Sequence, residues 1–180
     1  FVTQALSAFN DNAFRFAVAS IVISSIPDKD QAGLINTISA ALFVIPYFLF
    51  SATAGQLADR FDKALVARRV RLIEIAIVIL SVYSLFTDST TLKQFCIFLA
   101  GTQAAFFGPV KYSILPQHLT KDELLGGNGL VEMATFLAVL LGTILGTVIV
   151  EFESGKLLIS IVMVALAVFS YWTATRIPAA

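Results

Sequence analysis

The 180-residue chain has one cysteine, Cys96, and one histidine, His118. A single cysteine excludes an intrachain disulfide framework. With the lone histidine far away in sequence, a zinc or haem site built from the usual ligands is not expected. No cofactor and no metal site are expected. Charge is scarce: 13% of residues are charged, 12 basic against 12 acidic, for a formal net charge of zero. There is no basic stripe with interleaved aromatics, so no nucleic-acid partner is expected. Alternation of polar and apolar residues at period 2 is absent, which excludes a membrane β-barrel. No Gly-x-Ser-x-Gly, P-loop or metal-ligand run occurs, and no catalytic residue is assigned.

Apolar sequence is what the chain has in quantity. Hydrophobic residues make up 58% of it and the mean hydropathy is +0.87, where soluble domains average about 45–50% apolar. This is the composition of an integral membrane protein. A spanning helix needs about 20 mostly apolar residues, and six runs qualify: about 1–25, 33–57, 70–86, 92–112, 129–150 and 157–175. The fold class is therefore an all-α membrane protein with six transmembrane helices. Pro46 is placed to kink the second span and Pro109 to break the fourth early. The chain opens at Phe1 without an initiator Met, and a helix begins at once. It reads as an excerpt of a longer protein, without a cleavable signal peptide.

Loop charges orient the spans. One side collects Arg60, Lys63, Arg68, Arg69, Arg71, Lys111, Lys121 and Arg176, and the other has Lys29, Lys93 and Lys156. By the positive-inside rule the richer side, which includes both ends of the segment, is cytoplasmic.

The most informative residues are those that do not belong in lipid. Asn10-Asp11-Asn12 and Arg15 lie inside the first span. An Asp or Arg at a helix centre costs roughly 2.5–3.5 kcal/mol to insert, so such groups face water, a partner helix or a ligand. Asp11 with Asn10 and Asn12 suits an ammonium group. Arg15, four residues on, shares the Asp11 face and suits either that carboxylate or a phosphate. Gln103 is a further polar group in mid-span. Lys111 ends the fourth span and Glu132 starts the fifth, close enough for a charge pair across the intervening turn. Glu132 reads alternatively as a carboxylate in the first turn of a helix, and Asn128 as a helix N-cap. Gly142 and Gly146 form a Gly-x-x-x-Gly that permits close helix approach. Glu74, near Arg68 and Arg71, reads as structural.

The second span ends in Gly55-Gln56-Leu57-Ala58-Asp59-Arg60-Phe61-Asp62-Lys63. Gly55 is suited to close helix approach, and Asp59 and Arg60 meet water where charged groups can latch one conformation and release another. This Gly-x-x-x-Asp-Arg followed by a basic residue resembles the signature loop of the major facilitator superfamily, with Asp62 where a glycine is usual. Phe9-Asn10-Asp11-Asn12, the run from Phe106 to Pro116 with its Lys111-Tyr112, and the run from Leu124 to Glu132 resemble the lysophospholipid transporter branch of that superfamily. The similarity runs through nearly all of the chain.

The resemblance implies that 1–180 is the N-terminal six-helix bundle, two three-helix repeats in inverted orientation, and that a C-terminal six-helix half is missing. It implies a carrier that moves lysophospholipid, chiefly lysophosphatidylethanolamine, across a bacterial inner membrane to the cytoplasmic leaflet by alternating access. Asn10, Asp11, Asn12, Arg15, Gln103 and Lys111 would bind substrate. Gly55, Asp59, Arg60, Lys63 and Glu132 would gate. Partners would be the lysophospholipid, membrane lipids, the missing half and, in fused members, acyltransferase and acyl-carrier-protein synthetase domains. Three alternatives stand beside it: a carrier of another small molecule, the membrane part of a fused acyltransferase, and a non-transporting scaffold. His118 with Asp122 or Glu123 does not meet the acyltransferase His-x4-Asp spacing.

Overall fold

The computed structural model describes residues 1–178, so the last two residues of the expected 1–180 bundle lie outside the described residues. Six helices follow one another: α1 (Val2–Ser25), α2 (Lys29–Arg60), α3 (Lys63–Leu85), α4 (Thr90–His118), α5 (Leu124–Ile149) and α6 (Gly155–Thr175). No strand occurs among the described residues. The helix starts follow from capping chemistry. Asp28 accepts from the backbone N–H groups of Asp30 and Gln31, Asp62 from Leu65, and Ser89 from Leu92. These bonds satisfy donors that a helix start leaves unpaired. Asp62, in the signature loop's glycine position, thus serves as the N-cap of α3.

Several boundaries differ from those expected. Arg68, Arg69 and Arg71 are not loop residues, because α3 begins at Lys63. Its basic first turns are made compatible with helix by the Asp62 cap. Pro109 does not end α4, which runs through both Pro109 and Pro116 to His118. Each proline removes one hydrogen bond and the flanking turns hold. Pro46 lies buried inside a continuous α2. Asn128 is not an N-cap: α5 starts at Leu124, so Asn128 is in its second turn and Glu132 in its third.

The packing of the helices repeats itself. The most extensive contacts are α1 with α5 and α2 with α4, followed by α3 with α4, α3 with α6, and α1 with α6. Exchanging α1–α3 for α4–α6 maps this set onto itself. The start of α1 and the end of α4 meet at the same end of the bundle, where Phe1 and His118 line one pocket. The repeats are therefore inverted. The end of α6 lies there too, bonded to α1 through Thr3 to Thr173 (2.8 Å) and to α3 through Arg68 Nη2 donating to the Ile177 carbonyl (2.7 Å). The two symmetry-related pairs pack backbone on backbone. A Cβ on Gly146 or Gly142 would strike the α1 backbone at Ala13 and Phe9, and one on Gly101 would strike the α2 backbone at Phe43. Close approach through small residues is how helices associate where lipid removes the hydrophobic drive.

The principal core joins Ala13, Ala17 and Val18 of α1 to Val78, Ile97, Ile159 and Met163. A second cluster joins Ala58, Val66, Ala67 and Val70 to Phe107 and Val110. Large apolar side chains cover the outside, Phe48 and Phe136 being 82% and 70% exposed. Helices α2, α5 and α6 are each long and apolar enough to cross a membrane. The polar residues of the site lie chiefly on α1, α3 and α4.

Candidate functional site

Consecutive residues on a helix point about 100° apart, so Asn10, Asp11 and Asn12 serve three directions. Asn10 is buried and donates from Nδ2 to the Met163 carbonyl (3.0 Å), tying α1 to α6. Asn12 donates to the Ala8 carbonyl (2.8 Å) and accepts at Oδ1 from Arg15 Nη2 (3.0 Å). Asp11 is the member that faces open space. It forms no ion pair with Arg15 among the described residues. The Arg15 guanidinium instead packs on the rings of Phe16 and Phe43, 5.0 and 5.1 Å from their centroids.

Asp11 opens into a cavity of about 300 Å3 bounded by α1, α2, α4 and α5, with Arg71 of α3 behind. Gln4, Ser7 and Asn12 share its α1 wall. Phe43 and Tyr47 come from α2, Phe107, Gly108, Lys111 and Tyr112 from α4, and Thr135 and Val139 from α5. One wall thus carries a carboxylate, the others carry Lys111 and Arg71, and aromatic rings lie between. Lys111 Nζ is 3.1 Å from Glu132 Oε1, and the Tyr112 hydroxyl donates to the same carboxylate oxygen. This joins α4 to α5 at the cavity edge. The Lys111 side chain is 10% exposed and that of Glu132 41%.

Behind Asp11 is a smaller space that sequence reasoning missed. Arg71, counted among the loop charges, and Glu74, read as structural beside it, are 0% and 2% exposed. They pair at 2.6 Å, and the Arg71 guanidinium stacks 3.7 Å from the Phe107 centroid. Helical phase supplies the reason: residues 71, 74 and 78 share the inward face of α3. Glu74 lines a pocket of about 10 Å3 with Asn10, Asp11 and Gln103, near the lower limit for one water. Asn10 Oδ1, Glu74 Oε1 and both amide atoms of Gln103 face no hydrogen-bond partner there. Gln103 belongs to this pocket and to a groove between α3 and α4, not to the cavity wall.

Of the residues expected to gate, Glu132 is at the cavity edge through Lys111, whereas Gly55, Asp59, Arg60 and Lys63 stand apart from the cavity. Asp59 and Arg60 are exposed at the end of α2, and Arg60 packs on the Phe61 ring, 5.9 Å from its centroid. Neither they nor Lys63 form an ion pair among the described residues. Gly55 has nothing within 4 Å of where a Cβ would be, so it makes no close approach within this chain. In the α4–α5 loop, Glu123 accepts from the Thr120 backbone N–H (2.9 Å) and hydroxyl (2.8 Å). These bonds hold its carboxyl below the usual carboxylate range.

Inverted three-helix repeats packed around a polar, charged cavity beneath an apolar exterior define a helical membrane carrier bundle. Over residues 1–180 the sequence matches the Major Facilitator Superfamily, and the chain belongs to that family. It is a transporter segment and not an enzyme. The lysophospholipid transporters LplT of Salmonella heidelberg (strain SL476) and Salmonella agona (strain SL483) are each 36% identical to it over 156 residues. The match takes in 84% of this chain and 36% of each relative, so the chain spans little more than a third of their length. No solved structure matches.

Proposed function

We propose that this chain is the N-terminal six-helix half of a bacterial inner-membrane carrier with a second six-helix half. The carrier moves lysophospholipid, chiefly lysophosphatidylethanolamine, to the cytoplasmic leaflet. The observation that carries the reading is the cavity with Asp11 on one wall and Lys111 on another. A zwitterionic head brings an ammonium that pairs with Asp11 and a phosphate that pairs with Lys111, each a charge-assisted contact in low dielectric. Asn12 and Tyr47 add polar contacts, and Phe43 and Phe107 offer an apolar wall to the acyl chain. The Salmonella relatives bearing the name lysophospholipid transporter support the same substrate class.

Charge placement supports cytoplasmic ends, because Arg60, Lys63, Lys121 and Arg176 lie at the end shared by the start of α1 and the end of α6. Transport proceeds by alternating access, with Asp59 and Arg60 at the cytoplasmic seam between the halves, Gly55 and Lys63 beside them, and the Lys111–Glu132 pair opening when Lys111 takes the phosphate.

The test is flux in proteoliposomes carrying the full-length protein. Labelled lysophosphatidylethanolamine should cross, unlabelled lysophospholipid should compete, and free glycerophosphoethanolamine, lacking the acyl chain, should not. Equal competition by the chain-free head group, or no lipid movement, would contradict the reading.

A further inference from the structure

Arg68, Arg69 and Arg71 lie within one turn of α3, yet they go to three places. Arg68 donates to the Ile177 carbonyl and Arg71 pairs with Glu74 in the core. Arg69 is exposed and has neither an ion pair nor a hydrogen bond among the described residues. It stands at the rim of a groove of about 430 Å3 between α3 and α4, closed at one end by Leu57 and Phe61 of the α2 end. Beyond Arg69 the groove runs along Ile73 and Ile77 of α3 and Leu99 and Phe106 of α4. Thr102 and Gln103 are its other polar lining residues, and the Thr102 hydroxyl is bonded back to the Phe98 carbonyl (2.8 Å).

The groove and the central cavity use different faces of α4. Leu99, Thr102, Gln103 and Phe106 line the groove, whereas Ala104, Phe107, Gly108 and Lys111 line the cavity. At 3.6 residues per turn these faces are roughly 140° apart. A second half that covers the cavity therefore leaves the groove open to the bilayer. From Arg69 to Ile77 the helix rises about 12 Å, close to the roughly 15 Å hydrocarbon depth of one leaflet. The basic end of the groove lies beside Arg60 and Lys63, at the end of the bundle where head groups would sit.

We propose that this groove binds an anionic phospholipid of the surrounding bilayer, with its phosphate on Arg69 and one acyl chain lying along Ile73 and Ile77. The occupant is a resident lipid, and the site does not depend on which solute is carried. Charge complementarity selects it. The planar guanidinium matches a phosphate bidentately. A net-negative head gains from the Arg69, Arg60 and Lys63 field, where a zwitterionic one gains little. The apolar walls need a chain to cover them.

Native mass spectrometry of the full-length carrier, with phosphatidylglycerol and phosphatidylethanolamine added in turn, tests this. Wild type should retain one phosphatidylglycerol in preference to phosphatidylethanolamine. Arg69→Gln should weaken phosphatidylglycerol retention about fivefold, and Ile73→Trp, which fills the groove, should weaken retention of both lipids. Lys121→Gln, a basic loop residue outside the groove, should match wild type. Equal retention of the two lipids by wild type, unchanged retention in Arg69→Gln or Ile73→Trp, or an equal loss in Lys121→Gln, would overturn the proposal.

Discussion

Lys111 on α4 and Glu132 on α5 meet at 3.1 Å beside the cavity, with the Tyr112 hydroxyl on the same carboxylate. The pair is half in water, so it is suited to being made and broken. In a double-mutant cycle of Lys111→Gln and Glu132→Gln, thermal stability should show a coupling of about 0.5–1 kcal/mol. Transport should fall further in Lys111→Gln than in Lys111→Arg. Strict additivity would mean that the two side chains do not interact.

Gly146 separates packing from propensity. A methyl at this position meets the Ala13 backbone, which cannot move aside as a side chain can. Gly146→Ala should destabilise the full-length carrier by about 1–3 kcal/mol. Gly33→Ala, at a position with nothing within 4 Å, should be neutral or stabilise by up to about 1 kcal/mol. Thermal melts in detergent read both. Similar melts for the two variants would count against the α1–α5 contact.

The Gly142 and Gly146 approach was legible in the sequence because spacing alone defines it. The six helices were legible from the length of the apolar runs. Arg71 was not. In sequence it follows Arg68 and Arg69 and looks like their neighbour in a basic loop, whereas in the fold it is sealed by Glu74 and the Phe107 ring. Helical phase separates the three, and phase requires knowing that α3 starts at Lys63 rather than near residue 70. Asn128 misled for a related reason: a polar residue between glycines resembles a cap, but Glu123 lies at the actual start. The Asn10-Asp11-Asn12 cluster was visible as costly in lipid, but its division among α6, the cavity and Arg15 depends on partners far away in the chain.

The buried Arg71–Glu74 pair gives a signed expectation. Arg71→Met leaves a carboxylate in the core without its counter-charge and should cost about 3–5 kcal/mol. Adding Glu74→Leu should recover most of that loss, because the desolvation cost of both charges is then gone. Melting temperatures of the two variants against wild type decide it. A double variant no more stable than Arg71→Met would show that the pair does more than neutralise itself.

Glu123 gives the loop a pH dependence. Its carboxyl is held below the usual range by the Thr120 N–H and hydroxyl, so the ionised form is the one the fold favours. That contribution is present above the ordinary glutamate pKa and is lost as pH falls through the depressed value. Amide-exchange protection at Thr120 should therefore decline in that acidic window in wild type. In Glu123→Gln it should already be low at neutral pH and stay flat. A wild-type profile as flat as the variant's would remove the carboxylate from the Thr120 contact.

The most direct test of lipid transport through this cavity is delivery of labelled lysophosphatidylethanolamine to the cytoplasmic leaflet by the full-length protein, wild type against Asp11→Asn at matched expression. The isosteric amide keeps the shape of the wall and removes the carboxyl group that faces the cavity. The account predicts robust delivery by wild type and collapse in the variant. Equal delivery by both would contradict it.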